Sequence, residues 1–156
     1  MSGAATESAQ LLRTHGLRLT ASRLAVLDVL PELPAHVTVD EVETAARARI
    51  GTLSTQAVYD ILRAFHGAGL VRRIEPAGSP ARFETRVGDN HHHLVCRDCG
   101  ATVDVDCVVG EAPCLAPSEA VGFEVDEAEI IFWGRCPACL ERKDSAPRAR
   151  RTKGTP

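Results

Sequence analysis

The chain has 156 residues, 44% of them hydrophobic and 25% charged, enough for one ordinary domain or two small ones that share stability through an oligomer interface. No basic-then-apolar leader opens it and no run of roughly 18 apolar residues occurs in it, so the expectation is a cytosolic protein, neither exported nor inserted in a membrane. The net charge of −3 conceals a segregation: residues 1–85 carry nine basic and nine acidic side chains, 86–140 three and ten, and 141–156 six and two, which excludes a phosphate-binding face from the acidic middle.

A weak helical pattern over 6–15 runs into Gly16, after which Thr20 offers an N-cap and Leu24, Val26, Leu27 and Leu30 recur at helical spacing up to Pro31. A third helix is predicted from Thr38, where Thr38 and Glu41 have the spacing of a capping box and Val42, Ala45, Ala46 and Ile50 form one apolar stripe. The fourth starts after Gly51 near Ser54 and Thr55, carries Val58, Ile61, Leu62 and Phe65 inward, and ends at Gly67 and Gly69. Residues 70–74 and 81–85 then flank Pro76-Ala77-Gly78-Ser79-Pro80 and read as two short strands joined by a tight wing. Beyond it β-type runs at 94–95, 101–105 and 128–133 replace helical periodicity, with 113–120 the only helix candidate between them. The fold class expected is α+β: a winged helix-turn-helix over 1–86, a small α/β domain over 91–141, and a disordered basic tail over 142–156.

Six cysteines in a reducing compartment are better metal ligands or redox groups than a disulfide framework. Cys96-Arg97-Asp98-Cys99 and Cys136-Pro137-Ala138-Cys139 are two C-x-x-C knuckles, and four thiolates satisfy tetrahedral zinc without an open position, which makes such a site structural. The competing readings are a thioredoxin-like redox pair and unliganded buried thiols, and two pairs without βαβ surroundings favour the metal. Cys107 and Cys114 read as small buried apolar residues, with oxidation or an auxiliary metal contact as the alternatives.

Asn90-His91-His92-His93 stands just before the first knuckle, and in a strand His91 and His93 share one face while His92 takes the other. Glu84, Asp104 and Glu111 are carboxylates at suitable places in the chain. A mixed imidazole and carboxylate set suits Fe(II), Mn(II) or Zn(II), unlike the all-sulfur site. His36 sits in a loop before a capped helix, from which it could reach the hinge between the halves; alone it reads as a solvated side chain, and the histidine run also has a surface-patch reading.

In a winged helix the second helix of the helix-turn-helix enters the major groove, and Ser54, Thr55, Gln56, Tyr59 and Arg63 fit its outer face. A Tyr ring packs on a thymine methyl and an Arg bonds guanine or phosphate. Arg18, Arg23, Arg72 and Arg73 would contact mostly backbone.

LRLTASRLAVLDVL, the His36-x-Thr38-x-Asp40-Glu41 helix start, STQAVYDILRAFHGAGLVRRI, ARFE, HHHLVCRDCG and WGRCPAC together resemble the ferric uptake regulator family over roughly residues 10–140. The resemblance implies a metal-dependent repressor that binds a double-stranded DNA operator as a homodimer. It implies a winged helix first, a hinge sensing site, and structural Zn2+ on Cys96, Cys99, Cys136 and Cys139 in a dimerisation domain. Carried over by position, a regulatory Fe2+ or Mn2+ would be held by His36, Glu84, His91, His93 and Asp104. A third site of some members would use His92 and Glu111 with a His on the last strand, where Ala128 stands here; Asn90 replaces another usual His, so that site is incomplete.

VGDNHHHLVC, DVDCVVGEAPCL and DEAEIIFWG resemble the actinobacterial branch that represses catalase-peroxidase genes. With Asp104 they imply a response to peroxide or iron and control of catalase-peroxidase and of the protein's own gene, with His36 and His91 as the residues peroxide would oxidise. Two other classes stand beside this one. A thiol-based redox regulator would use the zinc-bound cysteines, and a zinc-dependent hydrolase would use the histidine cluster with Glu84 as acid/base, leaving the first half unexplained.

Overall fold

A computed structural model of the chain describes residues 2–89, 91–106, 121, 122, 124 and 130–144. Two compact units divide it, Met1–Asn90 and His91–Pro156. In the first, α1 (Ser2–Thr14), α2 (Ala21–Val29), a 3-10 turn (Leu30–Glu32), α3 (Val39–Ile50) and α4 (Thr55–Gly67) precede β1 (Arg72–Ile74) and β2 (Arg82–Glu84).

The starts of α2, α3 and α4 each rest on a side chain that satisfies an otherwise orphaned amide. Thr20 Oγ1 accepts from the Arg23 N–H at 3.2 Å, and Ser54 Oγ accepts from the Ala57 N–H at 3.2 Å. The capping box at α3 is complete, with the Glu41 N–H donating to Thr38 Oγ1 at 3.3 Å and the Thr38 N–H donating to Glu41 Oε2 at 2.7 Å. α2 stops before Pro31, whose missing N–H cannot continue the ladder, and the chain tightens there into the 3-10 turn. α4 ends where Gly69 takes φ 73, a left-handed backbone that any side chain would resist.

Leu70 and Val71, expected in the first strand, are buried core residues instead, and the paired strand begins only at Arg72. Leu12, Val26, Val29, Val42, Val58, Leu62, Phe65 and Phe83 join helices and hairpin in one core. A single antiparallel bridge adds to the hairpin: the Val37 N–H donates to the Phe83 carbonyl at 2.9 Å, and the Phe83 N–H donates back at 2.7 Å.

The second unit holds β3 (His91–Cys96), β4 (Thr102–Asp106), β5 (Ile131–Gly134) and α5 (Pro137–Asp144). The sheet order is β4-β3-β5, with β3 antiparallel to β4 and parallel to β5. α5 corrects the expected tail: residues 142–144 are the last turn of a helix whose first position is Pro137, where a fixed φ is compatible with helix and no N–H is missed. Residues 145–156, the helix candidate at 113–120, and Asn90, Cys107, Glu111, Cys114 and Ala128 lie outside the described residues. No helix among the described residues is long and apolar enough to cross a membrane.

Candidate metal centres and nucleic-acid face

Parallel pairing of β3 with β5 sets Cys96 opposite Gly134, so both knuckles emerge at the same end of the sheet although 36 residues separate them in sequence. Cys99 returns toward Cys96 through a turn closed by the Gly100 N–H on the Cys96 carbonyl at 2.9 Å, and Cys139 lies in the first turn of α5. The four Sγ atoms lie within 4.8 Å of one another, those of Cys99 and Cys136 are 3.7 Å apart, and none is in a disulfide. Sulfurs placed about 2.3 Å from a tetrahedral zinc are about 3.8 Å apart, so this thiol cluster fits the ion.

Its electrostatics point the same way. The Cys136 N–H donates to Cys96 Sγ at 3.3 Å, and with a further bond from the Cys99 backbone it draws the Cys96 thiol down to about 6. Burial pushes the Cys139 thiol up to about 12, against the opposing pull of Arg142. Four sulfurs this close ionise together only around a cation. The knuckles are also tied without metal: the Arg97 N–H donates to the Gly134 carbonyl at 2.8 Å, Arg135 pairs with Asp98 at 3.0 Å, and the Arg97 guanidinium lies 5.1 Å from the Trp133 ring centre. The sequence reading named none of these ties.

The mixed imidazole and carboxylate residues divide between the two units. In the first unit the Val37–Phe83 bridge brings His36 beside Glu84, with His36 Nε2 2.8 Å from Glu84 Oε2 and both side chains buried. Arg72 Nε stands 3.9 Å from the other carboxylate oxygen. In the second unit His93 faces Asp104 across the β3–β4 ladder. His91 Nε2 and His93 Nε2 lie 3.8 and 3.7 Å from Asp104 Oδ1, too far for hydrogen bonds and near the roughly 3.4 Å edge of a tetrahedral N/O site. The two rings meet edge to face with centroids 5.0 Å apart. His92, on the other face of β3, is fully buried and packs edge-on against Phe132 at 6.3 Å. Its suggested partner Glu111 is outside the described residues.

α4 buries Val58, Ile61, Leu62 and Phe65 and leaves Gln56 and Arg63 exposed, with Tyr59 half-buried beside them. Ser54 and Thr55 are exposed, but the first hydroxyl caps the helix and the second hydrogen-bonds the Glu43 carboxyl of α3, holding it below the usual carboxylate range. Asp60 was missed by the sequence reading: it is exposed on the same face and accepts from Gln56 Nε2 at 3.0 Å. The i,i+4 spacing of Gln56 and Asp60 was the available signal. Arg18 is exposed before α2, its carbonyl accepting from Arg23 Nη1 at 2.9 Å.

The ferric uptake regulator family profile matches residues 14–132. The chain is 55% identical over 131 residues to the transcriptional regulator FurA of Mycobacterium tuberculosis, covering 84% of this chain and 88% of that one. It is 51% identical over 146 residues to ferric uptake regulation protein 1 of Mycolicibacterium fortuitum, covering 92% and 90%. The peroxide operon regulator of Bacillus subtilis is 30% identical over 139 residues, covering 88% and 94%. Among solved structures, the ferric uptake regulator of Pseudomonas aeruginosa with manganese superposes with a TM-score of 0.61 at 26% identity, covering 83% of this chain and 98% of that one.

Proposed function

The chain belongs to the ferric uptake regulator family, whose members are transcriptional regulators and not enzymes, and from that premise we propose a cytosolic, homodimeric repressor whose grip on operator DNA depends on a second, regulatory divalent ion. The observation that carries this is the face of β3, where two buried imidazoles flank one carboxylate oxygen of Asp104. This imidazole and carboxylate donor set suits Mn(II) or Fe(II), while the thiols suit zinc.

The structural zinc is assigned to Cys96, Cys99, Cys136 and Cys139, and the regulatory ion to His36, Glu84, His91, His93 and Asp104. Drawing ligands from both units would give the ion a preference for one arrangement of the reading heads, and only such a preference shifts an equilibrium. DNA is assigned to the exposed face of α4 with Arg18, Ser54, Thr55, Gln56, Tyr59 and Arg63. Dimer contacts are assigned to the second unit, where Leu94, Val103 and Phe132 form an exposed apolar row across neighbouring strands.

The finer reading is a peroxide-responsive repressor of catalase-peroxidase and of its own gene. Bound iron(II) supplies peroxide-reducing chemistry, and His36 and His91 are the side chains expected to be oxidised. The relative named a peroxide operon regulator supports this branch, as do the residues around Asp104. The test is fluorescence anisotropy on the duplex upstream of its own gene, with zinc-loaded protein in Mn(II) or Fe(II), before and after peroxide. Peroxide should release only the iron form, with a mass gain of one oxygen on His36 or His91. Release with disulfides among the four knuckle cysteines and unmodified histidines would favour the thiol-redox reading instead.

A further inference from the structure

Arg142 lies one turn beyond Cys139 on α5, and its Nη2 donates to Cys139 Sγ at 2.6 Å. The i,i+3 spacing puts the two side chains on one face of the helix, so the contact is built into α5. The other arginines of the knuckles are engaged elsewhere, Arg97 with Trp133 and Arg135 with Asp98.

We propose that Arg142 is a positioning residue of the four-cysteine centre, holding the Cys139 sulfur and offsetting part of the negative charge that four thiolates place around one divalent ion. The proposal rests on the zinc reading of that site. Four thiolates and one Zn(II) leave a net charge of about −2, and although Cys99 is open to solvent, Cys139 is only 4% exposed, so water does little to spread the share of that charge on its sulfur. Uncompensated charge away from solvent is costly, and a guanidinium supplies a permanent positive charge with directional donors. A charge-assisted bond to sulfur also draws electron density from the ligand, which lowers its reactivity toward electrophiles. The expected consequence is a staple made for retention of its metal rather than for thiol switching.

The test uses the zinc-loaded full chain and two variants, Arg142→Lys and Arg142→Met. Methionine keeps helix propensity and much of the stem without the charge. The readouts are the rate of zinc transfer to a colorimetric chelator and the energy of the sulfur-to-metal charge-transfer band after Co(II) substitution. Arg142→Met should release zinc about tenfold faster or more and shift the band, and Arg142→Lys should recover part of both. Unchanged release in Arg142→Met would overturn the proposal. So would faster release with an unshifted band and no recovery by Lys, since that pattern belongs to a residue that only completes the helix. A wild-type chain that carries no zinc and gives no tetrahedral Co(II) spectrum would remove the zinc reading itself, a separable result.

Discussion

His36 meets Glu84 at 2.8 Å because the Val37–Phe83 bridge sets their neighbours opposite one another, at the base of the wing. Neither residue has a periodic partner in sequence, and their meeting depends on one pair of backbone hydrogen bonds. Glu84 is 2% exposed and shares its carboxylate between this imidazole and the more distant Arg72.

Removing that carboxylate separates metal binding from folding. Glu84→Gln keeps the shape, and it should weaken Mn(II) binding by about tenfold or more with little change in the urea midpoint. Glu84→Ala should also cost about 3 kcal/mol, because His36 and Arg72 lose a buried partner. Isothermal titration and urea melts read the two effects, and unchanged Mn(II) affinity in Glu84→Gln would remove Glu84 from the ligand set.

The capping box at α3 is a purely local device. Thr38→Ala should cost about 1 kcal/mol, measured as a lowered urea midpoint with the slope unchanged. Thr38→Ser should restore most of it, and a neutral Thr38→Ala would show that the core alone holds α3.

Zinc withdrawal tests the second unit. Cys136→Ser, or prolonged chelation, should lower the thermal midpoint and, if the proposed dimer is the native state, yield monomers, because the ends of β3 and β5 lose the ion they share. Light scattering with metal analysis reads both, and a chain that stays dimeric and equally stable without zinc would contradict the structural role. The Arg135–Asp98 pair is about two-fifths exposed on each side and cannot replace the ion, since exposed pairs contribute at most about 1 kcal/mol.

On the face of α4, charges of opposite sign sit one turn apart. Arg63→Ala should weaken operator binding by about tenfold and lower the salt slope by about one if its contact is to phosphate. Asp60→Ala should raise affinity for unrelated duplexes, because a carboxylate repels phosphate wherever it does not meet a base donor. Titrations against operator and scrambled duplex at two salt concentrations give both numbers, and an Arg63→Ala protein with normal affinity would move the reading face elsewhere.

The features legible in sequence were those whose cause is local. The Thr38 box, the Thr20 cap and the apolar stripe of α4 are set by spacing within a helix, and each stands where spacing put it. The two cysteine pairs were legible because a closed tetrahedral zinc site takes four donors and two C-x-x-C knuckles supply four, and the structure gathers all four. The Val37–Phe83 bridge was not legible, because one paired residue makes no periodic signal. α5 was missed for a different reason: it begins with a proline and is dense in charge, its last three residues, 142–144, read as the start of the basic tail, and Cys139 was counted as a ligand rather than as a helix position. Also beyond the sequence were the second uses of two proposed DNA contacts: the Ser54 hydroxyl caps α4, and the Thr55 hydroxyl meets the Glu43 carboxyl of α3.

The central claim is that operator DNA and the regulatory ion favour the same state of the protein, and linkage makes that directly measurable. Mn(II) affinity of the zinc-loaded chain should rise on adding saturating operator duplex by the same factor, about tenfold or more, by which Mn(II) raises operator affinity. Equal Mn(II) affinity with and without the duplex would contradict the account.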